Sequence, residues 1–202
     1  MKLRWCREVQ DKLSRSSVGI AGVGGLGSHC ALALARSRIG KLVLADVDVV
    51  EEGNLLRQNY SVDQVGQSKV EATRDNLLLA NPDVDVEVHN LRVTSHNFMA
   101  LFGKVDVLVE AFDDADQKVM LAESAARYRP DLWVVMGSGV AGFGSTEEIR
   151  VTKVGRLVVI GDGHSSVAPD NYCIAPRVGI VAFMQANVVL EILLTGDYGG
   201  GE

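Results

Sequence analysis

The chain has 202 residues, 47% of them hydrophobic, and sets 20 basic against 26 acidic side chains for a net charge of −6. That length supports one sizeable core, so a single domain over residues 1–202 is expected. The acidic balance disfavours a grip on a phosphate backbone and shows no polybasic patch, so neither nucleic acid nor a membrane is expected as a partner.

The start, MKLRWCREVQDKLSRSS, is too polar for a signal-peptide core, and no apolar run reaches the roughly 18 residues a membrane span needs. A cytoplasmic location is expected. Strand-like SVGIA (Ser17 to Ala21) then runs into GVGGLG, where Gly22, Gly24 and Gly27 have the G-x-G-x-x-G spacing that lets backbone amides approach a phosphate at a helix start. The spacing suits a nicotinamide dinucleotide, a flavin or a nucleoside triphosphate alike. A helix is predicted over Leu26 to Ile39, and the strand KLVLAD over Lys41 to Asp46. Asp46 stands about 20 residues past the glycines, where a carboxylate accepts ribose hydroxyls or closes a turn; Asp48 follows with a weaker claim.

The connection VDVVEEGNLLRQNYSVDQVGQSK carries Arg57 and Lys69. Two cations facing a phosphate crevice suit a triphosphate and a departing pyrophosphate, although each alone reads as a solvated surface charge. Asn54 and Gln58 flank Arg57 and either line the site or brace the loop. The predicted helix Ser68 to Ala80, strand Val84 to His89 and helix Ser95 to Phe102 lead to the strand VDVLVEAF, Val105 to Phe112, which presents Asp113. A carboxylate beside phosphates calls for a cation, and Mg²⁺ on Asp113 satisfies both. Asp114 and Asp116 read as cap and first-turn charges of the next helix, Asp116 to Tyr128.

After the strand Leu132 to Gly137 the βαβ rhythm stops: EEIRVTK and RLVVIGD flank Val154 and Gly155 as an antiparallel pair. The fold class is therefore α/β, a doubly wound Rossmann-like sheet, parallel in its first half and mixed in its second. A loop from Gly161 to Ala175 leads to a last apolar helix, Pro176 to Leu194, and the tail TGDYGGGE reads as a frayed end. That helix has more apolar positions than one face requires, which favours a homodimer as readily as burial in the monomer core. Cys6, Cys30 and Cys173 lie far apart without a Cys-x-x-Cys pair, so no zinc is expected. His29, His89, His96 and His164 share no metal-ligand spacing and read as surface or packing residues.

The blocks GVGGLG, ADVD, NLLRQNY, GQSKVEA and EAFDDAD resemble, in order and spacing, the ThiF/MoeB/HesA group of adenylating enzymes related to ubiquitin-activating enzymes. The likeness is to a short ThiF-type sulfur-carrier adenylyltransferase, of the kind that serves thiamine biosynthesis. It implies an enzyme that binds Mg-ATP and joins AMP to the C-terminal glycine carboxylate of a small ubiquitin-fold (ThiS-like) carrier, releasing pyrophosphate. On the matching positions, Gly22, Gly24, Gly25 and Gly27 hold the nucleotide, Asp46 the ribose, Arg57 and Lys69 the phosphates, and Asp113 the Mg²⁺. Two departures stand out. The zinc-binding cysteines of many relatives are missing, so the C-terminal half is expected to be braced by packing alone. The N-terminal arginine that reaches a partner subunit's ATP has no fixed counterpart, Arg4 and Arg7 being the candidates. Relatives often place a nucleophilic cysteine near position 173, where Arg177 and the helix start are close in sequence; the apolar surroundings favour a structural role. The rivals are a nicotinamide-dependent oxidoreductase, which leaves Arg57, Lys69 and Asp113 unexplained, a related enzyme adenylating a carboxylate on modified tRNA or a peptide, and a nucleotide-binding protein without turnover.

Overall fold

The computed structural model describes residues 7–199. Seven strands form one sheet in the order β3-β2-β1-β4-β5-β7-β6. They are β1 (Ser17–Ala21), β2 (Lys41–Asp46), β3 (Asp85–Asn90), β4 (Val107–Glu110), β5 (Trp133–Gly137), β6 (Arg150–Val154) and β7 (Leu157–Gly161). Every pairing is parallel except β6 with β7, which confirms the mixed second half. Central β1 and β4 are apolar and buried along nearly their whole length, as a sheet covered on both faces demands. One core, under α2 (Gly25–Arg36), α3 (Lys69–Ala80) and α6 (Ala175–Thr195), includes Ile20, Leu34, Leu44, Val109 and Val189. The other, under α4 (Phe98–Phe102) and α5 (Ala115–Tyr128), includes Phe98, Phe102, Leu108 and Leu121.

Several boundaries differ from the predicted ones for local reasons. α2 stops at Arg36 because Arg38 turns left-handed (φ 64°) and the Ser37, Arg38 and Ile39 amides fold back onto carbonyls of the last turn. A helix not predicted, α1 (Arg7–Leu13), forms where Val9 and Leu13, one turn apart, are buried. The β6–β7 reversal runs through Gly155 and Arg156, since Val154 pairs with Leu157. Lys153 and Arg156 from that hairpin lie over the Trp133 ring, 5.1 and 4.9 Å from its centroid, and fix the edge to β5.

The described part of the tail is not frayed. Lys153 donates to the Asp197 carboxylate (2.8 Å) and the Tyr198 carbonyl (2.7 Å), and the Gly199 amide donates to Glu191 (3.0 Å). α6, contrary to expectation, has the length and composition of a membrane span. Half of its most apolar 18-residue window is nonetheless buried inside the protein, and Gln185 within it donates to the Glu110 and Val135 carbonyls, so it packs as a core helix.

Candidate active site

The strand order reverses between β1 and β4, and chain segments leaving the two strands at their carboxyl ends meet there. Gly22 has φ +87°, and a Cβ on it would lie 2.9 Å from the Ala111 carbonyl oxygen. The first turn of α2 returns so closely that a Cβ on Gly27 would overlap the Gly22 carbonyl oxygen, so the third glycine exists for strand–helix contact. Gly24 and Gly25, at the helix start, keep part of their exposure while Val23 between the loop's ends is buried. Asp46 accepts the Val23 amide (2.8 Å) on one oxygen and the Asp48 amide (2.9 Å) on the other. It therefore fixes the glycine loop and closes its own turn, with lone pairs left for a ribose.

The long β2–α3 connection folds back through a short antiparallel bridge between Val49 and Ser68. That bridge brings Lys69, the first residue of α3, against Asp48: the Lys69 amide donates to the Asp48 carbonyl (2.9 Å) and its ammonium to the Asp48 carboxylate (2.7 Å). Lys69 is only 7% exposed, which rules out the solvated reading. Asn54 takes the bracing alternative, its side chain accepting the Glu51 amide inside a 3-10 turn (Glu52–Leu56). Gln58 is buried beside Gly24, and its Oε1 has no hydrogen-bond partner among the described residues. Arg57, half-buried, donates to the Gly53 carbonyl (3.0 Å), and its own carbonyl is met by the His29 ring at 3.3 Å.

From β4, the exposed Asp113 carboxylate enters no hydrogen bond or ion pair among the described residues. An unengaged hard-oxygen ligand at the mouth of a phosphate crevice fits Mg²⁺. Asp114 caps α5 as expected, accepting the Gln117 amide at 2.8 Å. Sequence reasoning missed the residue that sets this turn. Glu110, the fully buried last residue of β4, accepts the Phe112 amide (2.7 Å) and pairs with Lys118, whose ammonium lies 3.0 Å from both carboxylate oxygens and from the Gly137 carbonyl. Burial pushes its carboxyl up, against the opposing pull of Lys118. The signal was available: a glutamate in the apolar run VLVEAF, followed eight residues on by a lysine.

Cys173 stands in the loop before α6, held to Gly142 by a β-bridge and close enough to Arg57 and Asp113 to feel both charges. Burial pushes its thiol up, Arg57 pulls it down and Asp113 pushes it up again, with a net rise. Arg177 does not serve it. That guanidinium, 4% exposed, donates to the buried Asp162 carboxylate and to the Gly144 carbonyl, both at 2.6 Å. The C-terminal half is thus braced by a buried ion pair and not by packing alone. His164, exposed, approaches the Asp162 and Glu148 carboxylates at 3.5 and 3.9 Å. Cys6 and Arg4 lie outside the described residues. Arg7 opens α1, which packs on the far end of α6, where Lys12 donates to the Leu194 carbonyl (3.1 Å). A groove of about 680 Å³ at that amino edge, lined by Arg15, Asp106, Trp133 and Arg156 among others, contains none of the motif residues.

The glycine loop touches the chain that leaves β4 at Ala111 and Phe112 and is tied through Asp46 and Asp48 to the Lys69 helix start, and the ThiF family profile matches residues 2–199. The chain belongs to the ThiF family. It is 31% identical over 204 residues to the Caenorhabditis elegans protein named Ubiquitin-like modifier-activating enzyme 5, an alignment covering 91% of this chain and 48% of that protein. It is 33% identical over 126 residues to the Mycobacterium tuberculosis protein named "Probable adenylyltransferase/sulfurtransferase MoeZ", covering 61% and 32%. This ThiF chain therefore spans half or less of the length of these curated relatives. Its fold is also that of the E. coli tRNA N6-threonylcarbamoyladenosine dehydratase TcdA in complex with ATP, with a TM-score of 0.86 at 22% identity over 95% of this chain and 91% of that one.

Proposed function

We propose that this ThiF-family chain is an ATP-dependent adenylyltransferase that joins AMP to the C-terminal glycine carboxylate of a small ubiquitin-fold carrier. The observation that carries the reading is the convergence at the β1/β4 crevice of a phosphate-type glycine loop, a buried lysine and an unengaged aspartate. A dehydrogenase requires only the first. The relatives' names support the chemistry, one being an adenylyltransferase and one an activating enzyme for a ubiquitin-like modifier.

A C-terminal carboxylate has a pKa near 3.5, so at neutral pH it is ionised and attacks the α-phosphorus without a general base. Catalysis then rests on position and charge. The glycine loop offers backbone amides to the phosphates, Asp46 stands where the ribose reaches the β2 end, and Gln58 supplies an unpaired acceptor beside Gly24. Lys69 exchanges its Asp48 partner for phosphate oxygens, and Arg57 exchanges the Gly53 carbonyl for them. Mg²⁺ held by Asp113 would neutralise charge on the departing pyrophosphate. Cys173 takes no part in AMP transfer.

The carrier is a ThiS-like sulfur carrier or a ubiquitin-like modifier, which share the glycine tail and differ in the group that later displaces AMP. The net charge of −6 sets the tRNA-linked carboxylate behind both. The test is carrier-dependent ATP–pyrophosphate exchange. Lys69→Ala and Asp113→Asn should each lose about 2 kcal/mol or more of transition-state stabilisation, and exchange at the wild-type rate in both would overturn the assignment.

A further inference from the structure

Tyr60 is the only aromatic residue between Asp46 and Lys69, and it closes the block NLLRQNY, in which Asn54, Arg57 and Gln58 have been given roles and Tyr60 none. Its hydroxyl lies 2.6 Å from the Val23 carbonyl oxygen, 3.0 Å from the Thr73 hydroxyl and 3.3 Å from the Lys69 carbonyl oxygen. One proton cannot serve all three. The short contact assigns it to Val23, and Thr73 can then donate to the phenol oxygen. Burial pushes the phenol above its ordinary value, and Asp46 and Asp48 push the same way against the Thr73 bond, so Tyr60 stays a neutral donor.

The peptide before Val23 is held through its amide by Asp46, and the peptide after it through its carbonyl by Tyr60, so both peptides that shape the glycine loop are pinned. In a planar trans peptide the C=O and N–H point in opposite directions. Holding the Val23 carbonyl inward, towards α3, therefore turns the Gly24 amide away from α3, at a loop position that keeps part of its exposure. On its other side the same hydroxyl contacts Lys69 and Thr73, residues one helical turn apart on α3. The glycine loop and α3, the helix that Lys69 opens, are thus joined through a single oxygen atom, which donates to the Val23 carbonyl and accepts from Thr73.

We propose that Tyr60 is a positioning residue for the phosphates of the nucleotide: it presents the Gly24 amide and sets the separation between the glycine loop and Lys69. This rests on the nucleotide reading of the crevice. A residue that merely stabilised the fold would weaken every ligand of the site together, whereas this role acts on phosphates and spares the nucleoside.

The experiment measures ATP by calorimetry in magnesium-containing buffer and adenosine by displacement of a fluorescent ATP analogue, in wild type, Tyr60→Phe and Thr73→Val. Tyr60→Phe is expected to weaken ATP about tenfold and adenosine by less than about twofold, the loss of one well-placed bond's worth of order in the phosphate cradle. Thr73→Val, which cuts one anchor to α3 and leaves the Val23 bond, is expected to weaken ATP about threefold with adenosine unchanged. Equal weakening of both probes, or unchanged ATP affinity, overturns the proposal; if Tyr60→Phe does not fold, Thr73→Val decides by the same criterion. Wild type that binds neither probe overturns the nucleotide reading itself, before any variant is compared.

Discussion

Replacing Arg177 by methionine leaves the Asp162 carboxylate, 2% exposed, without its cation, and leaves the Gly144 carbonyl without its donor. Removing one partner of a buried ion pair costs about 3–5 kcal/mol. The Ser165 and His164 amides still reach the carboxylate at 2.7 and 2.9 Å, which places this case at the lower end, about 3 kcal/mol. With an unfolding entropy of about 2.1 cal/mol/K per residue, a chain of this length has about 420 cal/mol/K at its midpoint, so the loss lowers Tm by about 7 °C. Asp162→Asn/Arg177→Met together should recover at least half of it, because the amide acceptor survives and no charge is stranded. Burial pushes the Asp162 carboxyl up, but bonds from the Ser165 and His164 amides and from Arg177 outweigh it and hold the group well below the usual carboxylate range. A depressed carboxyl gives stability that is present above its unfolded value, about 4, and lost as pH falls below it. The deficit of Arg177→Met should therefore be full above about pH 5 and shrink below pH 4. Urea and thermal unfolding across that range check it. A single variant within 1 kcal/mol of wild type, or a double variant no better than the single, refutes the brace.

Gly27→Ala is expected to cost about 2 kcal/mol or more and to abolish ATP binding, because its Cβ would meet backbone that only a shift of α2 can clear; unfolding and calorimetry measure both. Cys173→Ser should keep AMP transfer within about twofold of wild type, since the carrier's own carboxylate is the nucleophile, and the thiol should alkylate more slowly than free cysteine because burial raises it. Lost transfer in a folded variant, or a Cys173-linked carrier adduct, overturns that assignment. On α6, Phe183 is 53% exposed and Ile180 38%, so the second-copy reading predicts that Phe183→Glu turns a dimer into a monomer. Light scattering that shows wild type monomeric at micromolar concentration, with full activity, removes it.

The sheet was legible because its inner strands β1, β2, β4 and β5 are nearly continuous apolar runs between glycine and aspartate punctuation, and the β6–β7 pair because Gly155 breaks two β-branched runs. Asp113 and the glycine spacing were legible because each sits where a strand ends. What sequence could not supply were partners brought together across the chain. Lys69 meets Asp48, 21 residues away, because Val49 and Ser68 bridge, Arg177 turns to Asp162 and away from its sequence neighbour Cys173, and Tyr60 reaches back 37 residues to Val23. Asn54 illustrates the remaining ambiguity: its spacing fits a site lining and a turn cap equally, and only the bond to the Glu51 amide separates them. Helix α1 was hidden by its polarity, since seven residues with two buried positions give too little periodicity to read.

The central claim, adenylation at the β1/β4 crevice, is tested most directly by incubating the protein with Mg-ATP and a ubiquitin-fold carrier ending in glycine, then measuring the intact mass of the carrier. Wild type should add one AMP to the carrier's C-terminus with release of pyrophosphate, and Lys69→Ala, folded to the same Tm, should not. An unmodified carrier, both ThiS-like and modifier-type, in the presence of wild type that demonstrably binds ATP would contradict the account.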